Sequence, residues 1–480
     1  MNTTIAKQII EDKLNGITDA EIGSKYNVNL KFIEKAIIQH TGTNISSPSL
    51  KNDIVKRLNP KNFIPENNSV WSFKSRGDWA THNGNYRGNW SPYIPRNVIL
   101  KYSNEGDTVL DYFCGAGTTA IECKLLNRSF KGFDINKSAV ELTELNLNFE
   151  VDNTLNFHTD ISVSTGDARN LPIDNDSIDI ICAHPPYSNI INYTNGEAGD
   201  LSGLEVEEFL KGINKVAKES YRVLRDGKYC AILIGDMRKN KNVIPLGFLV
   251  AEKFLDNGFY IEEMVIKRQH NCKTTGFWYK NSIKYNFLLL AHEYLFIFKK
   301  QKNKRCNSFN ISEKFQDNNW PKLKKEYIKK DIVLEAKTVW ILNSSSWFGD
   351  AVSNLVLRYS NNNYLNLKNN FILNSTKKKK YDLIIFSAKK HPEEDIKNLS
   401  QYLNYKGVLA VFCQDSRLKS GMIYQPALEI EKKLRNDKSL KIKEIIVLAL
   451  NSENNDNIVN TIPDKFLKIN HKYILLYMKN

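Results

Sequence analysis

The chain has no pair of cysteines spaced C-x-x-C. Its seven cysteines, Cys114, Cys123, Cys182, Cys230, Cys272, Cys306 and Cys413, stand singly, several inside apolar runs. That spacing does not suit a zinc ribbon or a disulfide frame, so the thiols read as reduced core residues and no metal site is expected. Long apolar runs are missing too. None reaches the ~20 residues that cross a bilayer, and the first residues do not read as a leader. A soluble, cytoplasmic protein with no membrane partner is expected. Acidic residues are in deficit: 53 Asp and Glu stand against 68 Lys and Arg, a formal charge of +15. Such an excess suits a polyanion, because Lys and Arg displace counterions from phosphates. It equally marks a lysine-rich composition.

The 480 residues suffice for two or three cored domains. Residues 1–45 read as a separate helical unit. Ile5, Ile9 and Ile10 share a face, and Gly16 breaks that helix. Thr18 with Glu21 makes a capping box for a helix over 19–26, a turn follows at Asn27-Val28, and a second helix is expected over 29–40. With Ala20, Ile22, Val28, Ile33 and Ile37 inward, this is a helix-turn-helix pattern. A small docking module is the plainer alternative. Residues 46–70, rich in Ser, Asn, Pro and Thr, read as a linker.

From 71 to 302 an aromatic opening (Trp71, Trp79, Tyr86, Trp90, Tyr93) gives way to alternating strands and helices. Strands are expected at 109–112, 129–134, 161–165, 178–183, 228–234, 261–267 and 294–298, with helices near 117–127, 137–149, 205–224 and 244–257. Alternation of this kind predicts an α/β fold with a mostly parallel sheet. Residues 303–330 read as a basic connector that includes Lys322, Lys324, Lys325, Lys329 and Lys330.

Residues 331–480 repeat the earlier pattern. The segment 381–387 matches 178–184, 407–417 echoes 227–238, and 471–477 echoes 292–298. Asp236 and His292 are as far apart as Asp415 and His471. The second copy has Ala388-Lys389-Lys390 where the first has Pro185-Pro186-Tyr187, and it lacks a glycine loop. It reads as a degenerate, independently folding copy. Its removal is expected to spare cofactor binding and to weaken binding of nucleic acid.

The chemistry concentrates in two motifs. Val109-Leu110-Asp111-Tyr112-Phe113-Cys114-Gly115-Ala116-Gly117-Thr118 reads as a strand, a glycine turn and a helix start. Gly115 and Gly117 permit positive φ and close backbone approach, and amides at the helix start can donate to a bound nucleotide. Asp134 ends the next strand about twenty residues on, where nucleotide sites place an acid against ribose hydroxyls. Asp167 follows the third strand and can accept from an adenine amino group. The second motif is His184-Pro185-Pro186-Tyr187 at the end of strand 178–183. Two prolines fix a rigid turn and leave their carbonyls free.

In this order the motifs resemble those of the bacterial DNA amino-methyltransferases, the N4-cytosine/N6-adenine group, over about 71–300. The resemblance implies a class I, Rossmann-like methyltransferase domain that uses S-adenosylmethionine (SAM), flanked by the helix-turn-helix and the degenerate domain. It implies a cofactor site of Asp111, Phe113, Gly115, Gly117, Thr118, Asp134 and Asp167, with Pro92 and Tyr93 in the segment that closes over the methionine part. His184, Pro185, Pro186 and Tyr187 are the implied catalytic residues. The first side chain and the Pro185 carbonyl would accept from an exocyclic amine, and Tyr187 would stack on a flipped base. The family usually has Asp, Asn or Ser before the prolines, so His184 is a departure. A neutral imidazole accepts one hydrogen bond and a protonated one accepts none. The choice between adenine N6 and cytosine N4 stays open. Asn189, Asn192, Asp200, Arg268, His270 and Asn271 are further candidates around the base. The implied function is sequence-specific methylation of DNA, with a separately encoded restriction endonuclease as partner. An RNA amino-methyltransferase and a non-enzymatic DNA-binding regulator are the alternatives.

Overall fold

A computed structural model describes residues 3–14, 22, 25–26, 28, 36, 57–86, 88–151, 159–188, 193–194, 197–270, 275–301, 332, 334–367, 379–388, 393–418, 420–451 and 466–480. The first unit carries an eight-stranded sheet. Its strands are β1 (Val70–Trp71), β2 (Thr108–Asp111), β3 (Ser129–Asp134), β4 (Ile161–Thr165), β5 (Ile178–Ala183) and β6 (Leu224–Ile234). A small hairpin of β7 (Met237–Lys239) and β8 (Asn242–Ile244) follows, then β9 (Tyr260–Arg268) and β10 (His292–Lys299). The spatial order is β1-β9-β10-β6-β5-β2-β3-β4. Only β10 runs against its neighbours; all other pairs are parallel.

The helices described for this unit are α1 (Thr3–Leu14), α2 (Tyr93–Tyr102), α3 (Thr118–Leu125), α4 (Lys137–Asn146), α5 (Val206–Val223), α6 (Leu246–Asp256) and α7 (Thr275–Lys284). Every residue of β5 is buried, as in a strand covered on both faces, and its charged residue, Asp179, is met by Arg225 and Lys228. Ile180 and Cys182 pack with α2 and α3, whereas Ile181 and Ala183 pack with α5 and α6. That is the two-residue period of a strand. α5 buries Phe209, Ile213, Val216, Ala217, Ser220 and Val223, one helical stripe. The parallel strands β2, β3 and β5 end at one edge of the sheet, and the residues after them build the site.

The second unit has β11 (Val339–Asn343), β12 (Tyr364–Leu367), β13 (Tyr381–Ser387), β14 (Leu403–Cys413), a hairpin of β15 (Ser416–Arg417) and β16 (Ile423–Tyr424), β17 (Leu440–Asn451) and β18 (His471–Lys479). Its helices are α8 (Trp347–Tyr359), α9 (Glu393–Ser400) and α10 (Pro426–Leu434). The sheet order is β11-β17-β18-β14-β13-β12. Strand for strand, this order and these directions are those of β1-β9-β10-β6-β5-β2. The register agrees as well: Cys413 faces Tyr473 as Ile234 faces Tyr294. Among the described residues the second sheet has no counterpart of β3 and β4.

The two units meet through paired contacts related by an approximate two-fold. Ser69 Oγ lies 2.7 Å from His471 Nδ1, and Thr338 Oγ1 lies 2.9 Å from His292 Nδ1. Arg238 forks onto Glu444, which also accepts from Leu288 N at 3.0 Å. In mirror fashion Arg417 binds Glu263, which accepts from Leu467 N at 2.9 Å. One apolar cluster runs through both units and includes Phe248, Phe254 and Tyr294 from the first and Leu428, Tyr473 and Leu475 from the second. The sheets are therefore separate but the core is shared, and the independent folding expected of the second unit is corrected on that ground.

One further expectation changes. The linker expected over 46–70 is not free from residue 57 onward. Arg96 donates to Asn59 Oδ1 at 2.7 Å, Glu66 N to Asn97 Oδ1 at 2.8 Å, and Ser69 N to Lys468 O at 2.9 Å. A polar segment lies fixed there because its backbone groups find partners in both units. The helices expected over 19–26 and 29–40 lie largely outside the described residues, as does the basic connector 303–330. α1 is described: Ile9 and Ile10 pack with Ile22, Ala36, Tyr86, Ala116, Ala139 and Leu142. The N-terminal segment thus braces the glycine turn and α4.

Candidate active site

Two cavities meet at the end of β5. The first is lined by Tyr86, Asn89, Trp90, Phe113, Gly115, Asp134, Asp167, His184, Pro186, Tyr193 and Asp200, among others. The second is lined by Arg76, Trp90, His184, Pro185, Tyr187, Lys267, Arg268, His270, His292 and Glu293, among others. Trp90 and His184 belong to both, and the two rings stack 5.6 Å apart at 21°.

The glycine turn is shaped from beneath. Asp111 is buried and accepts from Phe113 N at 3.0 Å and from Thr119 Oγ1 at 2.5 Å, so it braces the turn and does not line the cavity. Gly117 takes φ 80° at the start of α3, and a Cβ there would sit 2.6 Å from Thr143 Cγ2. Its lack of a side chain lets α3 and α4 approach. Thr118 donates to Asn89 Oδ1. Gly115, at φ 53°, does face the cavity. Asp134 accepts from Gly115 N and from Asn136 N, each at 2.9 Å, which ties the end of β3 to the turn. Burial pushes the Asp134 carboxyl up to about 6, and the two backbone N–H groups hold it from rising further. Asp167 is forked by Arg169, with Nη2 2.6 Å from Oδ2. Pro92 and Tyr93 open α2 away from the cavity; the Tyr93 ring stacks on Phe73 at 5.1 Å. Aromatic packing holds that pair, so it supports the wall that carries Trp90.

In the proline turn after β5 the tyrosine is tethered. Tyr187 donates to Glu293 Oε1 at 2.7 Å and lies 2.9 Å from His184 Nε2. Lys267 donates to Glu293 Oε2 at 2.6 Å. Burial alone would raise the Glu293 carboxyl; the Lys267 ammonium more than offsets it and holds the group down near 2. Burial lowers His184 to about 4, so its ring is neutral near pH 7. Lys267 and Glu293 escaped the sequence reading. They face each other in register on β9 and β10, a pairing the sequence did not signal, since Glu262, Glu263 and Arg268 also stand on β9. Asn189, Asn192 and Asn271 lie outside the described residues.

A glycine turn after the central strand, an acid at the end of the next and one reversed strand define a class I methyltransferase, whose cofactor is SAM. The first cavity fits it: the turn is bare of Cβ at Gly115, and Asp134 offers a carboxylate. A family model described as DNA methylase matches residues 24–145 and 178–395. The chain belongs to the DNA methylase family. A second model, described as RMKL-like, methyltransferase domain, matches residues 98–222. Among curated relatives, the tRNA (guanine(10)-N2)-dimethyltransferase of Methanothermobacter thermautotrophicus is 29% identical over 191 residues, 39% of this chain and 48% of that protein. The Type II methyltransferase M.HpaI of Haemophilus parainfluenzae is 53% identical over 53 residues, 11% of this chain and 17% of that protein. The chain thus spans less than half the length of these relatives. A SAM-dependent methyltransferase structure from Methanosarcina mazei is 17% identical and covers 42% of this chain and 97% of its own, with a TM-score of 0.30.

Proposed function

We propose that the chain transfers a methyl group from SAM to an exocyclic amino group of a base in DNA, adenine N6 or cytosine N4, as the modification enzyme of a cytoplasmic restriction-modification system. One observation carries this reading. His184 stands where the two cavities join, with Pro186 on the first side and Pro185 on the second. SAM supplies an electrophilic methyl group when bound in the first cavity. The second cavity receives the base, flipped from its stack. An exocyclic amine is a poor nucleophile while its lone pair is conjugated with the ring. Accepting its hydrogens at His184 and at the Pro185 carbonyl localises that lone pair, and holding it in line removes orientational entropy from the barrier. Lys267, Arg268 and Arg76 favour the phosphates of the flipped nucleotide. The second unit, a copy without the tetrapeptide and, among the described residues, without counterparts of β3 and β4, serves as scaffold and duplex-facing surface, and the helix-turn-helix contacts flanking DNA. A separately encoded endonuclease is the partner this function requires.

A second reading, methylation of RNA, is favoured by the tRNA methyltransferase among the relatives. Radiolabelled methyl transfer to duplex DNA, single-stranded DNA and tRNA separates the two. Transfer to tRNA with no transfer to either DNA sinks the first reading.

Two predictions arise at the cofactor end. Asp134→Ala should weaken SAM binding by roughly 1.5–3 kcal/mol, the scale for loss of a charged acceptor, as read by calorimetry; unchanged affinity contradicts the assignment. The pH dependence should split. Asp134 is the stronger acceptor as a carboxylate and loses its charge-assisted bond on protonation, so KM for SAM should rise as pH falls through about 6. His184 accepts only when neutral, and burial keeps it neutral down to about 4. kcat should therefore stay level from pH 8 to pH 5. A kcat limb centred near the ordinary imidazole value of about 6.5 would contradict the buried, neutral histidine.

A further inference from the structure

The four side chains at the end of β5, β9 and β10 are joined in a line: Lys267 Nζ to Glu293 Oε2 at 2.6 Å, Glu293 Oε1 to Tyr187 Oη at 2.7 Å, and Tyr187 Oη to His184 Nε2 at 2.9 Å. Each bond direction follows from proton counting. Glu293, buried beside an ammonium, is ionised and can only accept. The single phenolic proton of Tyr187 is therefore committed to Glu293, and only an oxygen lone pair remains towards His184. Nε2 must then carry the imidazole proton. Nδ1 is left as an acceptor, and among the described residues no group bonds to it. Trp90 holds the ring plane by stacking. Gly235 leaves the space the line occupies, since a Cβ there would sit 2.9 Å from Tyr187 Cε2 and 3.3 Å from Glu293 Cγ.

We infer that Lys267, Glu293 and Tyr187 are positioning residues that fix the tautomer of His184, so that Nδ1 faces the amine and takes its proton. The inference rests on the reading of His184 as the acceptor for the amine, and it adds what makes a histidine workable there. Asp, Asn and Ser present an acceptor oxygen without a choice of tautomer; a histidine does so only when its proton is held on the other nitrogen. As the amine nitrogen forms its bond to the methyl carbon, the electron pair of the carbon–sulfur bond stays on sulfur. The proton shed by nitrogen passes to Nδ1. The imidazolium so formed is opposed by the Glu293 carboxylate through Tyr187, and it returns its proton to solvent. This is the logic by which a buried carboxylate orients a catalytic histidine in serine proteases, here with a phenol interposed.

The test uses the full chain labelled with ¹⁵N-histidine and two-bond ¹H–¹⁵N correlation, with His184→Asn used to assign the resonance. The wild type should show the proton on Nε2. In Glu293→Gln the amide oxygen turns to Lys267 and its NH₂ to Tyr187. The phenol then donates to Nε2, and the imidazole proton moves to Nδ1. kcat should fall by about 100-fold or more, the range for losing a positioned acid–base group, while SAM affinity, which also reports folding, holds. Tyr187→Phe keeps the ring and should give a mixture of tautomers with a smaller fall; it carries the test if Glu293→Gln does not fold. Added to His184→Asn, which has no tautomer to set, Glu293→Gln should change kcat by less than about twofold. Wild-type His184 protonated on Nδ1 overturns the inference, as does an unchanged tautomer in both variants. The amine-acceptor reading fails separately, if His184→Ala methylates normally.

Discussion

A chain lacking residues 336–480 should not fold to a stable enzyme. Removing the second unit strips one side of a continuous core that includes Phe248, Phe254 and Tyr294. It also leaves the Glu263 carboxylate, 1% exposed in the full chain, without Arg417, and His292 without Thr338. With Arg417 and the Leu467 N–H gone, the carboxylate can be satisfied only by opening the apolar face around it to water. A domain is stable by only about 5–15 kcal/mol, so the lost pair and the lost apolar burial together exceed what the first unit can spare. The measurements are thermal unfolding and SAM calorimetry on the truncated protein. A soluble fragment that unfolds cooperatively near the wild-type temperature and binds SAM normally would show that the shared core is dispensable. Glu444→Ala is the milder version: it orphans Arg238 and the Leu288 N–H together, and should destabilise the full chain by about 3–5 kcal/mol.

His184→Ala should lower kcat by about 10²–10⁴ and leave SAM affinity within about twofold. The reason for the split is the position of the ring. It lines both cavities, but the groups that fit SAM lie on the turn after β2 and at the end of β3, which the substitution does not touch. His184→Asn should retain more activity than His184→Ala, since the amide oxygen is an acceptor at about the right reach, although it cannot take the proton. A His184→Ala enzyme with wild-type kcat and a raised KM for SAM would place the residue in cofactor binding and not in the transfer.

The central elements were legible because their causes are local. The largely apolar run at 178–183 announced a strand, and the strand–glycine–helix passage at Asp111–Thr118 announced a nucleotide turn. The tetrapeptide is contiguous, so its prolines and its histidine could be read side by side. The repeat was legible for a similar reason: the spacing between Asp415 and His471 copies that between Asp236 and His292, and β14 and β18 pair in the register of β6 and β10. Asp111 was legible as important but not as what it is, a brace beneath the turn, because burial of a carboxylate is not written in its neighbours.

The sequence by itself thus determined the strands that flank the glycine turn, the acid at Asp134 and the proline turn at His184, since each depends on residues close along the chain. Tertiary structure alone decided the Lys267–Glu293–Tyr187–His184 line and the mirrored pairs Arg238–Glu444 and Arg417–Glu263. Apart from Tyr187 and His184, which are neighbours in the tetrapeptide, these join residues tens to hundreds of positions apart. Antiparallel pairing of β9 with β10 sets Glu293 opposite Lys267, and the two-fold docking of the units sets each arginine against the other unit's buried carboxylate. A charge is tolerated at such depth only where a distant partner meets it, and no local pattern in the chain names that partner.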